Sequence, residues 1–128
     1  MNIHAAITVP LDYAAIEKGV SAREVQALMR KGMLAPEDVY RAIPERTFKR
    51  RLADKAKLKL KEADAIGRLL RIDALARWAF GDDAMAREFL GSANPALGNR
   101  IPHVMAHTDA GARGVEALLF RFVAGDYS

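Results

Sequence analysis

The sequence predicts an all-α protein, and three observations support that fold class. Residues 58–80, LKLKEADAIGRLLRIDALARWAF, form the longest run in which apolar residues recur at mixed three- and four-residue steps, the spacing of a helix face. Shorter segments with similar spacing lie on both sides of it. Hydrophobic residues make up 51% of the 128, and they are mostly Ala and Leu with few Val or Ile runs. We expect one small helical domain, or two helical lobes that share a core.

The central segment is expected to be a core helix that ends before Gly81, since glycine is the usual residue just past a helix end. Asp64 precedes Arg68 by four residues and Asp73 precedes Arg77 by four, the order that favours ion pairs along a helix. Its predicted buried stripe consists of Ile66, Leu69, Leu70, Ile72, Leu75, Ala76 and Ala79.

Three shorter helices are predicted ahead of the central one. Ser21 with Glu24 three residues later is typical of a capping box, and Gly32 ends that helix. A second helix covers residues 36–43, and a third begins at Pro44 with Phe48 and Leu52 facing inward. Because the second and third are joined by a tight turn and the third is basic, they fit a helix-turn-helix whose second member enters the major groove of DNA.

Positive charge is concentrated beside this turn. Residues 44–61 contain eight Lys or Arg and two acidic residues, a net charge of +6, whereas residues 62–128 contain seven basic and nine acidic residues, a net charge of −2. Such a patch is typical of a polyanion binder, although a solvated helix face of a bundle without a DNA role has the same composition. The candidate DNA-binding residues are Arg46, Thr47, Lys49, Arg50 and Arg51.

Two helices are predicted after the central one. Asp82 and Asp83 open the first, with Ala86, Phe89 and Leu90 inward. Residues 92–102 are predicted to form a loop from their Asn, Pro and Gly content. Thr108 or Asp109 caps the last helix, which ends at Gly125 and buries Val115, Leu118, Leu119 and Phe122.

Composition argues against several function classes. The chain has no apolar run long enough to cross a bilayer and no recognisable export signal, so we expect a cytoplasmic protein that does not bind membranes. It has no Cys, and its Ser and His residues form no nucleophile–base pattern, so we expect no catalytic residues and no cofactor. His103 and His107 are one helical turn apart, but no third ligand is near, so we expect no metal site.

From residue 43 to residue 125 the sequence resembles the antitoxins of the Xre/MbcA/ParS type. The segments that carry this resemblance cover about two thirds of the chain, and the chain departs from the family pattern at Phe89, where Trp is usual. In this sequence they read IPERTFKRR, LKLKEADAIGRLLRIDALARWAFGDDAMAREFL, NPALGNRIP and TDAGARGVEALLFRFVAG.

The resemblance implies an Xre-like N-terminal helix-turn-helix in residues 1–57, packed on a C-terminal helical toxin-binding domain in residues 58–128. It further implies the antitoxin of a type II toxin–antitoxin system, which binds operator DNA as a homodimer and neutralises a RES-domain toxin that consumes NAD⁺. Two alternatives remain: a stand-alone helix-turn-helix transcriptional regulator with a ligand-sensing C-terminal half, and an enzyme or metal-binding module built on the two histidines.

A toxin-binding surface is expected in two segments whose Gly and Pro residues fix their shape, residues 94–102 and the last helix. Tyr is a residue type that often anchors interfaces, and residues beyond the Gly125 helix stop can reach a neighbouring protein. The candidate toxin-binding residues are Arg100, Asp109, Arg113, Asp126 and Tyr127.

Overall fold

The computed structural model describes residues 9–125, and the regular structure in that range is helical. Besides the helices it contains only isolated bridges, Ser21 with Lys57 and Asn94 with Arg100, so the predicted all-α class is confirmed. The α-helices are α1 (Tyr13–Lys18), α2 (Ala22–Arg30), α3 (Pro36–Ala42), α4 (Glu45–Ala53), α5 (Leu60–Phe80), α6 (Asp83–Gly91), α7 (Pro102–Met105) and α8 (Asp109–Ala124), and a 3-10 helix spans Pro95–Leu97.

Residues 10–70 form one compact unit, built from α1 to α4 and the first half of α5. The predicted capping box at α2 is confirmed: the Glu24 amide donates to Ser21 Oγ (3.1 Å), and the Ser21 amide donates to Glu24 Oε2 (3.4 Å). The core of this unit includes Val20, Val25, Val39, Ile43, Phe48, Ile66 and Leu70.

Residues 71–125 form the second unit, from the other half of α5 through α8. Thr108 caps α8 by accepting from the Gly111 amide (3.0 Å), which decides between the two predicted capping residues. The Phe80 ring contacts Phe89 and Phe122, at centroid distances of 5.3 and 4.8 Å, so aromatic contacts join α5, α6 and α8. The fully buried residues include Ile72, Leu90, Pro102, Val115 and Leu119.

The long helix α5 contributes to both units and matches the predicted central helix closely. Its start is fixed by Glu62, whose Oε1 accepts from the Lys59 amide (2.8 Å), and its end by Gly81 in the left-handed conformation (φ 66°). The predicted buried stripe is confirmed except at Ala79, which is half-buried. The functional boundary expected between residues 57 and 58 stays a prediction, because compactness in space does not divide a chain by function.

Candidate functional site

Helix α4 presents three of its basic residues on the side opposite its anchor. Phe48 is fully buried and contacts the Tyr40 ring edge-on, at 6.1 Å between centroids, which holds α4 against α3. Only Ile43 and Pro44 separate the two helices. Arg46, Lys49 and Arg50 are exposed on the other side of α4, at the three- and four-residue spacing of one helix face. Three of the five predicted DNA-binding residues therefore share a solvent-facing surface.

Lys49 is partly engaged within its own helix. Its Nζ lies 2.7 Å from Glu45 Oε2, one turn earlier, and both side chains are exposed. The hydrogen bond that Lys49 donates to Glu45, followed by the negative charge of Glu45, raises the pKa of Lys49, so the amine stays protonated in this pair. The carboxylate of Glu45 reduces the positive field at this point of the face, which leaves Arg46 and Arg50 as its stronger anion-binding groups.

Arg51 and Thr47 lie differently from the other three candidates. Both are half-buried, and the Arg51 guanidinium pairs with the Glu62 carboxylate, with side-chain exposures of 12% and 15%. Burial opposes ionisation of Glu62, but the hydrogen bonds from Arg51 and from the Lys59 amide, together with the positive charges of the Arg51 and Lys59 side chains, lower the pKa of Glu62. Arg51 thus ties α4 to the first turn of α5, a role that the sequence analysis did not predict.

The second unit contains an open cleft lined by residues 99–101, by α7 and by the start of α8. Its apolar wall consists of Ile101, Val104 and Met105, and its polar lining consists of Asn99, Arg100, His107, Thr108 and Gly111. The cleft holds about 480 Å³. One lining residue, Gly111, has no room for a side chain, because a Cβ there would overlap the carbonyl oxygen of Met105. That close approach places the start of α8 directly against the end of α7.

A short, tightly bonded loop positions Arg100 at this cleft. The Asn94 carbonyl accepts from the amides of Leu97 and Asn99 (both 2.9 Å), and the Asn94 amide donates to the Arg100 carbonyl (3.1 Å). Gly98 and Asn99 both have left-handed backbone, with φ of 67° and 62°. The Arg100 guanidinium lies over Gly98 and donates from Nη1 to the Leu97 carbonyl (3.2 Å). The predicted loop of residues 92–102 therefore includes a 3-10 turn and orients a side chain.

The other described toxin-binding candidates lie on the first turns of α8. Arg113 Nε is 2.9 Å from Asp109 Oδ2, and both side chains are largely exposed, at 76% and 62%. They neutralise each other, whereas Arg100 makes no ion pair with a carboxylate in residues 9–125. Asp126 and Tyr127 lie outside the described residues. The structure thus brings Arg100 to the cleft and pairs Asp109 with Arg113.

Metal and membrane roles find no support in the described part of the chain. Between residues 9 and 125, no three His, Asp or Glu side chains are grouped so that they could hold a metal ion. His107 Nδ1 instead lies 3.0 Å from the Val104 carbonyl oxygen. None of the described helices combines the length and the apolar character that a membrane span requires.

The sequence is similar both to a known family of domains and to a known protein. Residues 75–125 match the model of the antitoxin Xre/MbcA/ParS C-terminal toxin-binding domain. Antitoxin Xre of Pseudomonas putida is 29% identical over 110 residues, which cover 86% of this chain and 69% of the relative.

The two findings agree on the class of protein to which the chain is similar, since the matched domain and the relative both come from antitoxins. Both comparisons are therefore with Xre-type antitoxins, which confirms the resemblance seen in the sequence.

Proposed function

We propose that the chain neutralises a RES-domain toxin that consumes NAD⁺ and, as a homodimer, binds operator DNA to repress its own transcription. The observation that carries the toxin-binding part is the match of residues 75–125 to a toxin-binding domain model. That range contains the cleft, Arg100 and the start of α8. Neutralisation by covering the toxin's active-site entrance needs no catalytic residue from this chain.

The DNA-binding part of the proposal rests on α3 and α4. The buried Phe48 fixes α4 on α3, and the exposed face of α4 carries Arg46, Lys49 and Arg50. We retain Thr47 and Arg51 in the candidate site, but the pairing of Arg51 with Glu62 favours a role in holding α4 in place. One small helix-turn-helix contacts few phosphates, so a symmetric pair is the arrangement expected at an operator.

The test of toxin neutralisation is co-expression with the product of the neighbouring gene. Induction of that product alone should arrest growth and deplete cellular NAD⁺, and co-expression of this chain should restore both. The two proteins should also co-purify. Growth arrest that the chain does not relieve, with no co-purification, would overturn the proposal. Relief of a toxin that leaves NAD⁺ unchanged would overturn only the RES assignment.

A further inference from the structure

The cleft of the second unit has a charge that no other described group of the chain balances. Arg71, Arg77 and Arg113 in this unit each pair with a carboxylate, those of Glu116, Asp73 and Asp109 respectively. The Arg100 guanidinium has only the Leu97 carbonyl as its described partner, through Nη1. A guanidinium has five N–H donors, so most of its hydrogen-bonding capacity is not used by the described residues.

Arg100 is also held in place before any partner arrives. The bonds made by Asn94 close the loop across residues 94–100, and the left-handed backbone at Gly98 and Asn99 lets the chain turn back so tightly. The donation to the Leu97 carbonyl then restrains the guanidinium itself. Ordering a long side chain in advance reduces the entropic cost of binding, so this loop favours a specific contact over a merely solvated charge.

Beside the guanidinium lies an apolar wall that the described chain leaves partly uncovered. Ile101 is 36% exposed and Val104 is 40% exposed, and both line the cleft with Met105. A pocket that is apolar on one side and cationic at its rim fits a partner segment of matching chemistry. Such a segment has an apolar side chain to fill the cleft and a carboxylate that can take two hydrogen bonds from arginine.

We propose that this cleft is the docking site for a toxin segment in which a large apolar side chain lies next to an Asp or Glu. The apolar side chain packs on Ile101 and Val104, and the carboxylate binds the N–H groups of Arg100 that the described residues leave unused. This inference rests on the proposed function, because it assigns a partner chemistry to the toxin-binding unit. It makes Arg100 the residue that selects for an acidic partner.

The test measures the affinity of the full-length chain for the co-purified toxin by calorimetry. Arg100→Gln should weaken binding by about 10- to 100-fold, because it leaves the toxin carboxylate without its charged partner at the interface. Arg87→Gln, which removes an exposed arginine outside the cleft, should change the affinity by less than about three-fold. Val104→Ser should weaken binding as well, and Arg100→Lys should fall between Arg100→Gln and the parent.

A double-mutant cycle identifies the carboxylate. Replacing the toxin's surface acidic residues one at a time by their amides should yield one position whose effect disappears in the Arg100→Gln background. Should Arg100→Gln not fold, as judged by its circular dichroism, Arg100→Lys and the toxin variants provide the same cycle.

The outcomes separate the inference from the proposed function. A parent chain that does not bind the toxin would overturn both. Binding that is unaffected by Arg100→Gln, or a cycle in which no toxin carboxylate couples to Arg100, would overturn the inference alone. If Val104→Ser changes the oligomeric state of the free chain instead, the cleft is an interface between copies of this chain, and the inference is likewise overturned.

Discussion

At the scale of single residues, two glycines in the same helix are expected to respond oppositely to the same substitution. A Cβ at Gly111 would overlap the Met105 carbonyl, which is backbone and cannot move away without shifting α7. A Cβ at Gly114 would lie 3.4 Å from Met105 Cε, the flexible end of a side chain. Close packing therefore explains why residue 111 is a glycine, but it does not require a glycine at residue 114.

Gly111→Ala should destabilise the fold by about 1–3 kcal/mol or more, because overlap with backbone exceeds the gain in helix propensity of about 1 kcal/mol. Gly114→Ala should be neutral or stabilising by up to about 1 kcal/mol. Urea unfolding of the two variants and the parent measures both effects. Equal shifts in the unfolding midpoint would contradict the close approach of α8 to α7.

The ion pair between Arg51 and Glu62 predicts a pH dependence of stability. Because the folded state lowers the pKa of Glu62 below its ordinary value near 4.5, the contribution of its ionised form is present above that pH. The contribution is lost as pH falls through the lowered pKa. Glu62→Gln should cost roughly 1–3 kcal/mol near neutral pH, and the difference from the parent should shrink progressively below about pH 4.5.

Glu45→Gln is the matched control, because Glu45 pairs with Lys49 on the exposed face of α4. This variant should unfold at the same denaturant concentration as the parent across the same pH range. A difference between Glu62→Gln and the parent that stays constant from pH 7 to pH 3 would show that the carboxylate charge is not responsible.

At the scale of helices, two leucines of α5 test which face of this helix is buried. Leu75 is 4% exposed in the middle of the buried stripe, whereas Leu60 is 68% exposed at the start of the same helix. Leu75→Ala should cost about 2–5 kcal/mol, since it removes buried methyl groups and leaves a cavity. Leu60→Ala should remain within about 0.5 kcal/mol of the parent. A similar loss for both in guanidinium unfolding would place the stripe on the wrong face.

The helices themselves were largely predictable because their signals are local. Ser21 with Glu24, Gly81 and Gly125 each mark a helix end through groups only a few residues apart, and α5 ended where Gly81 predicted. The Arg51–Glu62 pair was not predictable in this way. It joins residues on two helices across a loop, and in the sequence Arg51 resembles the exposed arginines beside it.

The candidate site was predictable in outline only. Arg100 was selected from the loop segment that contains it, and the structure gives it a defined position over Gly98. The apolar wall of the cleft depends on where Ile101 and Val104 are placed by the loop and by α7, and a four-residue helix has too few residues to show periodicity. The pairing of Asp109 with Arg113 follows helical spacing and could have been anticipated.

At the scale of the whole molecule, charge is distributed along the chain in a way that suits two different partners. Residues 44–61 carry a net charge of +6, and residues 62–128 a net charge of −2. The electrostatic field of residues 44–61 attracts a polyanion over a long range. The cleft of the second unit instead offers one oriented cation, Arg100, and an apolar wall. Salt should therefore weaken DNA binding much more than toxin binding.

The last prediction separates phosphate binding by α4 from a general effect of net charge. Arg46→Ala and Arg50→Ala each remove an exposed guanidinium from α4, and Arg113→Ala removes one from α8, so all three lower the formal charge equally. The measured quantity is the slope of the logarithm of the operator-binding constant against the logarithm of the salt concentration. Each α4 variant should reduce the steepness of this slope by about one unit for every phosphate contact that it loses, and a dimer loses the contact in both subunits. Arg113→Ala should leave the slope unchanged. Fluorescence anisotropy across a salt series measures it, and equal slopes for all three variants would show that α4 does not bind the phosphates.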